Sequence, residues 1–296
     1  MARDNLNSLF ADFAQYAGDL AVVQRRGYRR EAWTYAKLAH TATTIAMEFR
    51  ERGAGTGDRI LLWAPNSAEW MAAFWGCLLL GAVAVPIDAG AAPDFAARVA
   101  RETSPRMIVA SREIARLAAG ADCAPLDAIG ARVPWIILED LAALASQPRI
   151  IVCQAVLGEP RRPVYETLAS ETITRDHIAQ ILFTSGTTAE PRGVVLTHGN
   201  FLANLEPLER GIDPYRRYEK WMHPLRFVTL VSLSHVFGQF MALFVPPLLG
   251  ATIVFELSTN PSEIARTIKR ESATALIAVP RMLDSCLLYT SPSPRD

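Results

Sequence analysis

Residues 181–200 read Ile-Leu-Phe-Thr-Ser-Gly-Thr-Thr-Ala-Glu-Pro-Arg-Gly-Val-Val-Leu-Thr-His-Gly-Asn. Ile181 to Phe183 is an apolar run and Val194 to Leu196 a second, richer in β-branched side chains, so both are expected as short buried strands. Between them stand the hydroxyl side chains of Thr184, Ser185, Thr187 and Thr188, with Gly186, Pro191 and Arg192. This composition suits a polyanion. A glycine lets the backbone turn so that amide N–H groups converge, and hydroxyls add donors that reorient freely. The guanidinium of Arg192 adds a fork that matches phosphate oxygens. The competing reading is an ordinary polar hairpin loop, since Ser, Thr, Gly and Pro all favour turns.

The order of residue types favours the phosphate loop. No Gly-x-x-x-x-Gly-Lys-Ser/Thr occurs in the chain, so the loop is not of the Walker kind. It resembles the signature Thr-Ser/Thr-Gly-Thr-Thr-Gly-x-Pro-Lys-Gly of the adenylate-forming superfamily: acyl- and aryl-CoA synthetases, luciferases and peptide-synthetase adenylation domains. Two positions depart. Ala189 stands where the family usually has Gly or Ser, and Arg192 replaces Lys while keeping the charge.

The 296 residues suggest about two domains or one large α/β domain. Half the residues are hydrophobic and 20% are charged, which favours a substantial core over disorder. A formal net charge of +0 removes any general electrostatic argument for nucleic acid or an anionic membrane. Cys77, Cys123, Cys153 and Cys286 form no Cys-x-x-Cys, so neither a zinc site nor a disulfide framework is indicated, and a reducing, cytoplasmic setting is expected. The N-terminus lacks the apolar core of a signal peptide.

Trp70 to Ile87 and Phe227 to Phe255 carry no Lys, Arg, Asp or Glu and are long enough to cross a bilayer. Gly81 interrupts the first before Val83-Ala84-Val85-Pro86, and polar residues, Pro246-Pro247 and Gly250 interrupt the second. Both therefore read as buried helix–strand units.

In chain order, Ala21–Gln24 reads as a strand followed by the charged turn Arg25–Arg30. An RNA contact is the rival reading of its four arginines, but a solvated hairpin is commoner. Thr34 is a candidate N-cap for a helix with Leu38, Ala42, Ile45 and Phe49 on its apolar side, ended by Gly53. The Gly53–Asp58 segment precedes a strand (Arg59–Trp63) rather than following one, so it reads as a loop and not a dinucleotide fingerprint. Pro65-Asn66-Ser67 starts the helix Ala68–Leu80, and Ala82–Val85 is the next strand. A helix over Pro93–Glu102 leads to the strand Met107–Val109, and Trp135–Leu138 is another. This alternation implies crossover connections and mostly parallel sheets with helices on both faces. Trp33-Thr34-Tyr35, Asp58-Arg59-Ile60, Pro65-Asn66-Ser67 and Leu80–Asp88 also resemble N-terminal landmarks of the superfamily. The fold class implied is α/β, the N-terminal part of the adenylate-forming enzyme large domain, over residues 1–284. Residues Arg149–Gly158 match nothing in that pattern.

Downstream, His198-Gly199-Asn200 opens a helix to about Glu209, Phe227–Val231 is a strand, and Ser232-Leu233-Ser234-His235-Val236-Phe237-Gly238-Gln239 follows. A lone loop histidine is ordinarily satisfied by nearby backbone. This segment, however, resembles the superfamily's second core motif, Pro-Leu-Phe/Ala-His-x-x-Gly, in the variant typical of fatty-acid-activating members, with Ser232 in place of Pro. The resemblance places His235 beside the acyl carboxylate and the α-phosphate, in a positioning role. Phe237, Met241 and Phe244 share a helical face that could line an acyl pocket, although such spacing is commoner in plain core.

What the resemblance implies is ATP-dependent activation of a carboxylic acid, with a fatty acid preferred, through an acyl-adenylate to an acyl-CoA. Thr184, Ser185, Gly186, Thr187, Thr188 and Arg192 would cradle the outer phosphates, Thr184 would stand near Mg²⁺, and coenzyme A would be the acceptor. The alternatives are an acyl-AMP ligase loading a carrier protein and a noncatalytic nucleotide-binding module. A peripheral membrane contact is compatible with the substrate class. The chain contains no Tyr-Gly-x-Thr-Glu or Thr-Gly-Asp, and Lys37, Lys220 and Lys269 lie in no family lysine motif. It is thus expected to correspond to the first part of such an enzyme and to form no acyl-adenylate by itself. The Ser- and Pro-rich residues 285–296 abandon the pattern and are expected to be a disordered tail, through truncation or a misread frame.

Overall fold

The computed structural model describes residues 3–120, 133–145, 168–169, 172–184, 192–214, 223–280 and 282–283. Eleven strands among them form two sheets. The first contains β1 (Leu20–Arg26), β2 (Arg29–Thr34), β9 (Arg226–Thr229), β10 (Thr252–Phe255) and β11 (Ala275–Ile277), in the order β11-β9-β10-β1-β2. The second contains β3 (Arg59–Trp63), β4 (Val83–Ile87), β5 (Met107–Ala110), β6 (Trp135–Ile137), β7 (Ile178–Thr184) and β8 (Arg192–Thr197), in the order β6-β5-β3-β4-β7-β8. Only the β1–β2 and β7–β8 pairs are antiparallel. The mostly parallel α/β architecture read from the alternating pattern is therefore the one adopted.

Burial on both faces explains the continuous apolar runs of the central strands. Along β3, Ile60 and Leu62 enter one core and Leu61 and Trp63 another. The helix Pro93–Thr103 covers the second core with Ala96, Ala97, Val99 and Ala100, joined by Ile114 and Ala118 of the helix Arg112–Gly120. The larger core draws on both sheets and on the helices Tyr35–Glu51 and Ala68–Leu80. All thirteen residues of Ala68–Leu80 are buried, and this requirement, rather than a bilayer, accounts for the absence of charge after Glu69. No helix among the described residues is long and apolar enough to cross a membrane.

The helix termini follow local chemistry. Thr34 accepts from Lys37 N–H and Ser67 from Trp70 N–H. Gly81, at φ +73, ends the central helix in the left-handed conformation that releases the chain into β4. The charged turn at 25–30 is a hairpin between β1 and β2. Arg26 pairs with the buried Glu69 at 2.6 Å, and Arg30 with Glu271 at 3.1 Å. Two arginines of this turn thus lock the hairpin to the helices behind it.

Several boundaries differ from the sequence pattern. β4 runs on through Pro86 to Ile87, β9 stops at Thr229, and Leu138 opens the helix Leu138–Leu144 instead of ending β6. β8 is a larger correction. It is an edge strand, and Val194 and Val195 are 47% and 50% exposed, so β-branched content marked a strand but not a buried one. Cys77 is buried and free, and burial pushes its thiol well above the usual range. Arg149–Gly158 and the tail at 285–296 lie outside the described residues.

Candidate active site

Three connections converge where the carboxyl ends of the parallel strands meet. Asn66 follows β3, Asp88 follows β4, and Leu230–His235 follows β9. The first two leave one sheet and the third leaves the other, so the site lies in the crevice between them, where open α/β sheets bind ligands.

The loop Val231–His235 is held from several sides. Asn66 Nδ2 donates to Val231 O at 2.8 Å, and Leu233 N–H donates to Asn66 Oδ1 at 2.8 Å, so one side chain replaces a missing ladder partner. Ser234 Oγ donates to Asp88 Oδ2 at 3.0 Å, while Gly90 N–H donates to Asp88 Oδ1 at 2.9 Å. Burial drives the Asp88 carboxyl upward, but hydrogen bonds from Gly90, Ser232 and Ser234 and the nearby His235 charge outweigh it. The group is held below its ordinary value. Gln239 reaches back to Leu233 O at 2.9 Å. Gly238 is required by close approach, because a Cβ there would stand 2.2 Å from Ser232 O. The His-x-x-Gly spacing is thus a packing rule, in which the first helical turn lies against the loop that precedes it.

His235 is the N-cap residue of the helix Val236–Gln239, with an exposed side chain that makes no capping bond. Beyond it a π-helical turn spans Phe240–Phe244. Phe244 is fully buried against Phe74, Trp75 and Phe201, and Phe237 is 49% exposed, so Phe237, Met241 and Phe244 do not form one pocket wall. The open space is elsewhere, and its lining mixes apolar side chains with Glu256, Ser258 and Thr259. A cavity of about 550 Å³ opens beside Asn66 and Ser232 and extends to Leu257, Val279 and Met282.

The hydroxyl-rich segment begins at the same edge. Thr184 ends β7, Arg192 starts β8, and the two are paired in the antiparallel register. Arg192 is exposed. Ser185, Gly186, Thr187 and Thr188 lie outside the described residues. β7 runs parallel to β4 with Ala84 opposite Gln180, so four residues further on Thr184 stands level with Asp88. Neighbouring strands are about 4.8 Å apart. The structure therefore brings the strand ends of the hydroxyl-rich segment, Asp88 and the His235 loop to one crevice. Asn66, Asp88 and Ser234 were not singled out by the sequence as site residues. Their one local signal is a polar side chain just past the carboxyl end of a buried strand.

Comparison with known proteins gives a consistent result. The AMP-binding enzyme family matches residues 9–295. The chain is 30% identical over 254 residues to 4-coumarate–CoA ligase-like 3 of Oryza sativa subsp. japonica, covering 84% of this chain and 42% of that protein. It is 26% identical over 297 residues to crotonobetaine/carnitine–CoA ligase of Salmonella paratyphi A, covering 96% and 52%. The chain spans about half the length of these curated relatives. Among solved structures, the fatty acyl-adenylate ligase from L. pneumophila, in complex with acyl adenylate and pyrophosphate, superimposes with a TM-score of 0.73 at 22% identity. That match covers 98% of this chain and 46% of the other. The fold, the strand-end crevice and the family match agree, and the chain belongs to the AMP-binding enzyme family.

Proposed function

We propose that this chain contributes the phosphate loop and the His235 loop of an acid-activating ligase that converts a carboxylate, with fatty acids the preferred class, to an acyl-adenylate and then to an acyl-CoA. The observation that carries the reading is the convergence at one crevice of Thr184, Arg192 and Asp88 with the pinned loop of His235. A carboxylate is a poor acyl donor because its leaving group is oxide. Attack of its oxygen on the α-phosphorus of ATP breaks the bond to the β-phosphate oxygen and expels pyrophosphate. A thiol then attacks the acyl carbon and expels AMP. Such chemistry needs little covalent help from the protein; orientation and charge neutralisation supply the rate.

In this reading Thr184, Ser185, Gly186, Thr187, Thr188 and Arg192 hold the β- and γ-phosphates, and His235 positions the carboxylate against the α-phosphate. Asp88 acts through Ser234 to fix the loop that presents His235. Among the described residues no group of three His, Cys, Asp or Glu could hold a metal ion. Mg²⁺ would be held with Thr184 as the proposed hydroxyl beside it, and would supply charge neutralisation. The cavity beside Asn66 supports an apolar acyl group, and the CoA ligases among the relatives support CoA as acceptor. Carrier-protein loading is the alternative, distinguished by which thiol is acylated. The 296 residues by themselves are proposed to bind nucleotide without completing adenylation.

Calorimetry with ATP and AMP tests the loop assignment. Charge-assisted contacts to phosphate are worth about 1.5–3 kcal/mol, so Arg192→Ala should weaken ATP more than tenfold. AMP, which lacks the outer phosphates, should change by less than about twofold. Equal weakening of both nucleotides, or none, would refute the assignment.

A further inference from the structure

Two buried amides join the strand that feeds the hydroxyl-rich segment to the loop that carries His235. Gln180 on β7 and Gln239 in the helix after His235 are both 0% exposed. Gln239 Nε2 donates to Leu233 O at 2.9 Å, and Gln180 Nε2 donates to Gln239 Oε1 at 2.8 Å. The orientation is forced. A carbonyl only accepts, so Gln239 must turn its NH₂ to Leu233 and its oxygen to Gln180, which must answer with its own NH₂. The oxygen of Gln180 is thereby turned away, and it has no hydrogen-bond partner among the described residues. Two apolar side chains of similar size would leave Leu233 O without this donor but would also remove the unpaired Gln180 oxygen, so one stranded acceptor replaces another and stability alone does not explain the pair.

What the pair supplies is a fixed relation between two segments. Gln180 lies four residues before Thr184 on the same strand. Gln239 binds the loop twice, through its side chain to Leu233 O and through its own N–H to His235 O at 3.0 Å. The link also crosses from one sheet to the connection leaving the other, parallel to the one Asn66 makes from β3. We propose that Gln180 and Gln239 are positioning residues that hold the β7 end of the phosphate loop and the His235 loop in one register, so that nucleotide bound at the first orients the second. This rests on the nucleotide reading above.

The test uses the 296-residue chain labelled with ¹⁵N-histidine, the His235 signal being assigned with His235→Gln, and Mg·ATP as the probe. The double variant Gln180→Met/Gln239→Met removes the polar link at similar volume. It should unfold within a few degrees of the parent and keep its ATP affinity within about threefold. The His235 ring signal should move on ATP addition in the parent and should not move in the double variant. Amide exchange at Leu233 and Ser234 should rise about tenfold, as expected for one lost neutral hydrogen bond. Should the double variant not fold, Gln180→Met alone keeps the Gln239–Leu233 bond, cuts the link to β7, and should also abolish the His235 response. A folded variant whose His235 responds to ATP as the parent does would overturn the proposal, as would unchanged exchange in the double variant. Failure of the parent to bind ATP would sink the nucleotide reading and with it the orienting role. The exchange arm needs no ligand and separately decides whether the pair holds the loop.

Discussion

Gly238→Ala is the substitution for which the structure gives the most definite consequence. The added methyl would stand 2.2 Å from Ser232 O, 2.9 Å from Ser232 C and 3.2 Å from Val231 Cγ1. The two nearest atoms are backbone, so no side-chain rotation relieves the contact. Restoring an ordinary separation requires the loop and the helix to part by about 1 Å, an overpacking of the kind that costs about 1–3 kcal/mol. The loop cannot drift outward freely. Asn66 holds it at Val231 and Leu233, Asp88 holds Ser234, and Gln239 ties Leu233 to the helix itself. Lengthening about three such bonds costs about 3 kcal/mol, against about 0.5–1 kcal/mol gained because alanine is the better helix residue. The net loss is about 2–3 kcal/mol, which lowers the unfolding temperature by about 3–5 °C for a domain of this size. Gly211→Ala is the control. Its Cβ would meet nothing within 4 Å, it lies in the helix His198–Ile212, and it should stabilise by about 0.5–1 kcal/mol. Thermal unfolding of both variants and amide exchange at Leu233 provide the readout. A Gly238→Ala protein as stable as the parent, with Leu233 exchange unchanged, would refute the close approach and the packing account of the His-x-x-Gly spacing.

Two further outcomes follow from the buried polar groups. His198 is 1% exposed, its Nδ1 accepts from Leu6 N–H at 3.2 Å, and burial, with His177 adding, lowers its pKa to about 4. The unfolded chain, with a value near 6.5, takes up the proton first, so the stabilisation is fully present above about pH 6.5. It declines as pH falls and is lost below about pH 4, amounting to about 3 kcal/mol in all. Denaturant unfolding of the parent and of His198→Gln, which keeps an acceptor but does not titrate there, should diverge over that window; parallel pH profiles would contradict the assignment. Asn66→Ala strands Val231 O and Leu233 N–H and should cost about 2–3 kcal/mol. Asn66→Asp should be no better, because its carboxylate faces Val231 O, and recovery of stability in the Asp variant would count against the bridging geometry.

Much of the architecture was legible because it is written in local periodicity. Leu38, Ala42, Ile45 and Phe49 gave the helix before Gly53, and Gly81 after Leu78-Leu79-Leu80 gave the stop that frees β4. Apolar runs at 59–63 and 107–109 gave strands, and their lack of polar alternation implied burial on both faces. The same reasoning overreached at β8. Three β-branched or aliphatic residues in succession read alike in a central strand and at an edge, and the sequence carries no record of which neighbour is missing.

The sequence by itself determined the chemical types available at the crevice: hydroxyls and a guanidinium at 184–192, a histidine at 235 and a glycine three residues later. Only the tertiary structure decided their company. β1 lies beside β10, with Val22 opposite Ile253, and Asn66 bonds Val231 and Leu233 across the gap between sheets. Asp88 meets Ser234, and Gln180 meets Gln239. A helix or strand is dictated by residues a few positions apart, and that signal is present in any short window. A hydrogen bond between residues 59, 146 or 165 positions apart depends on which strand ends the crossovers bring together. That in turn is fixed by burying every face of the helix Ala68–Leu80 between the two sheets, a property of the whole chain and of no segment in it.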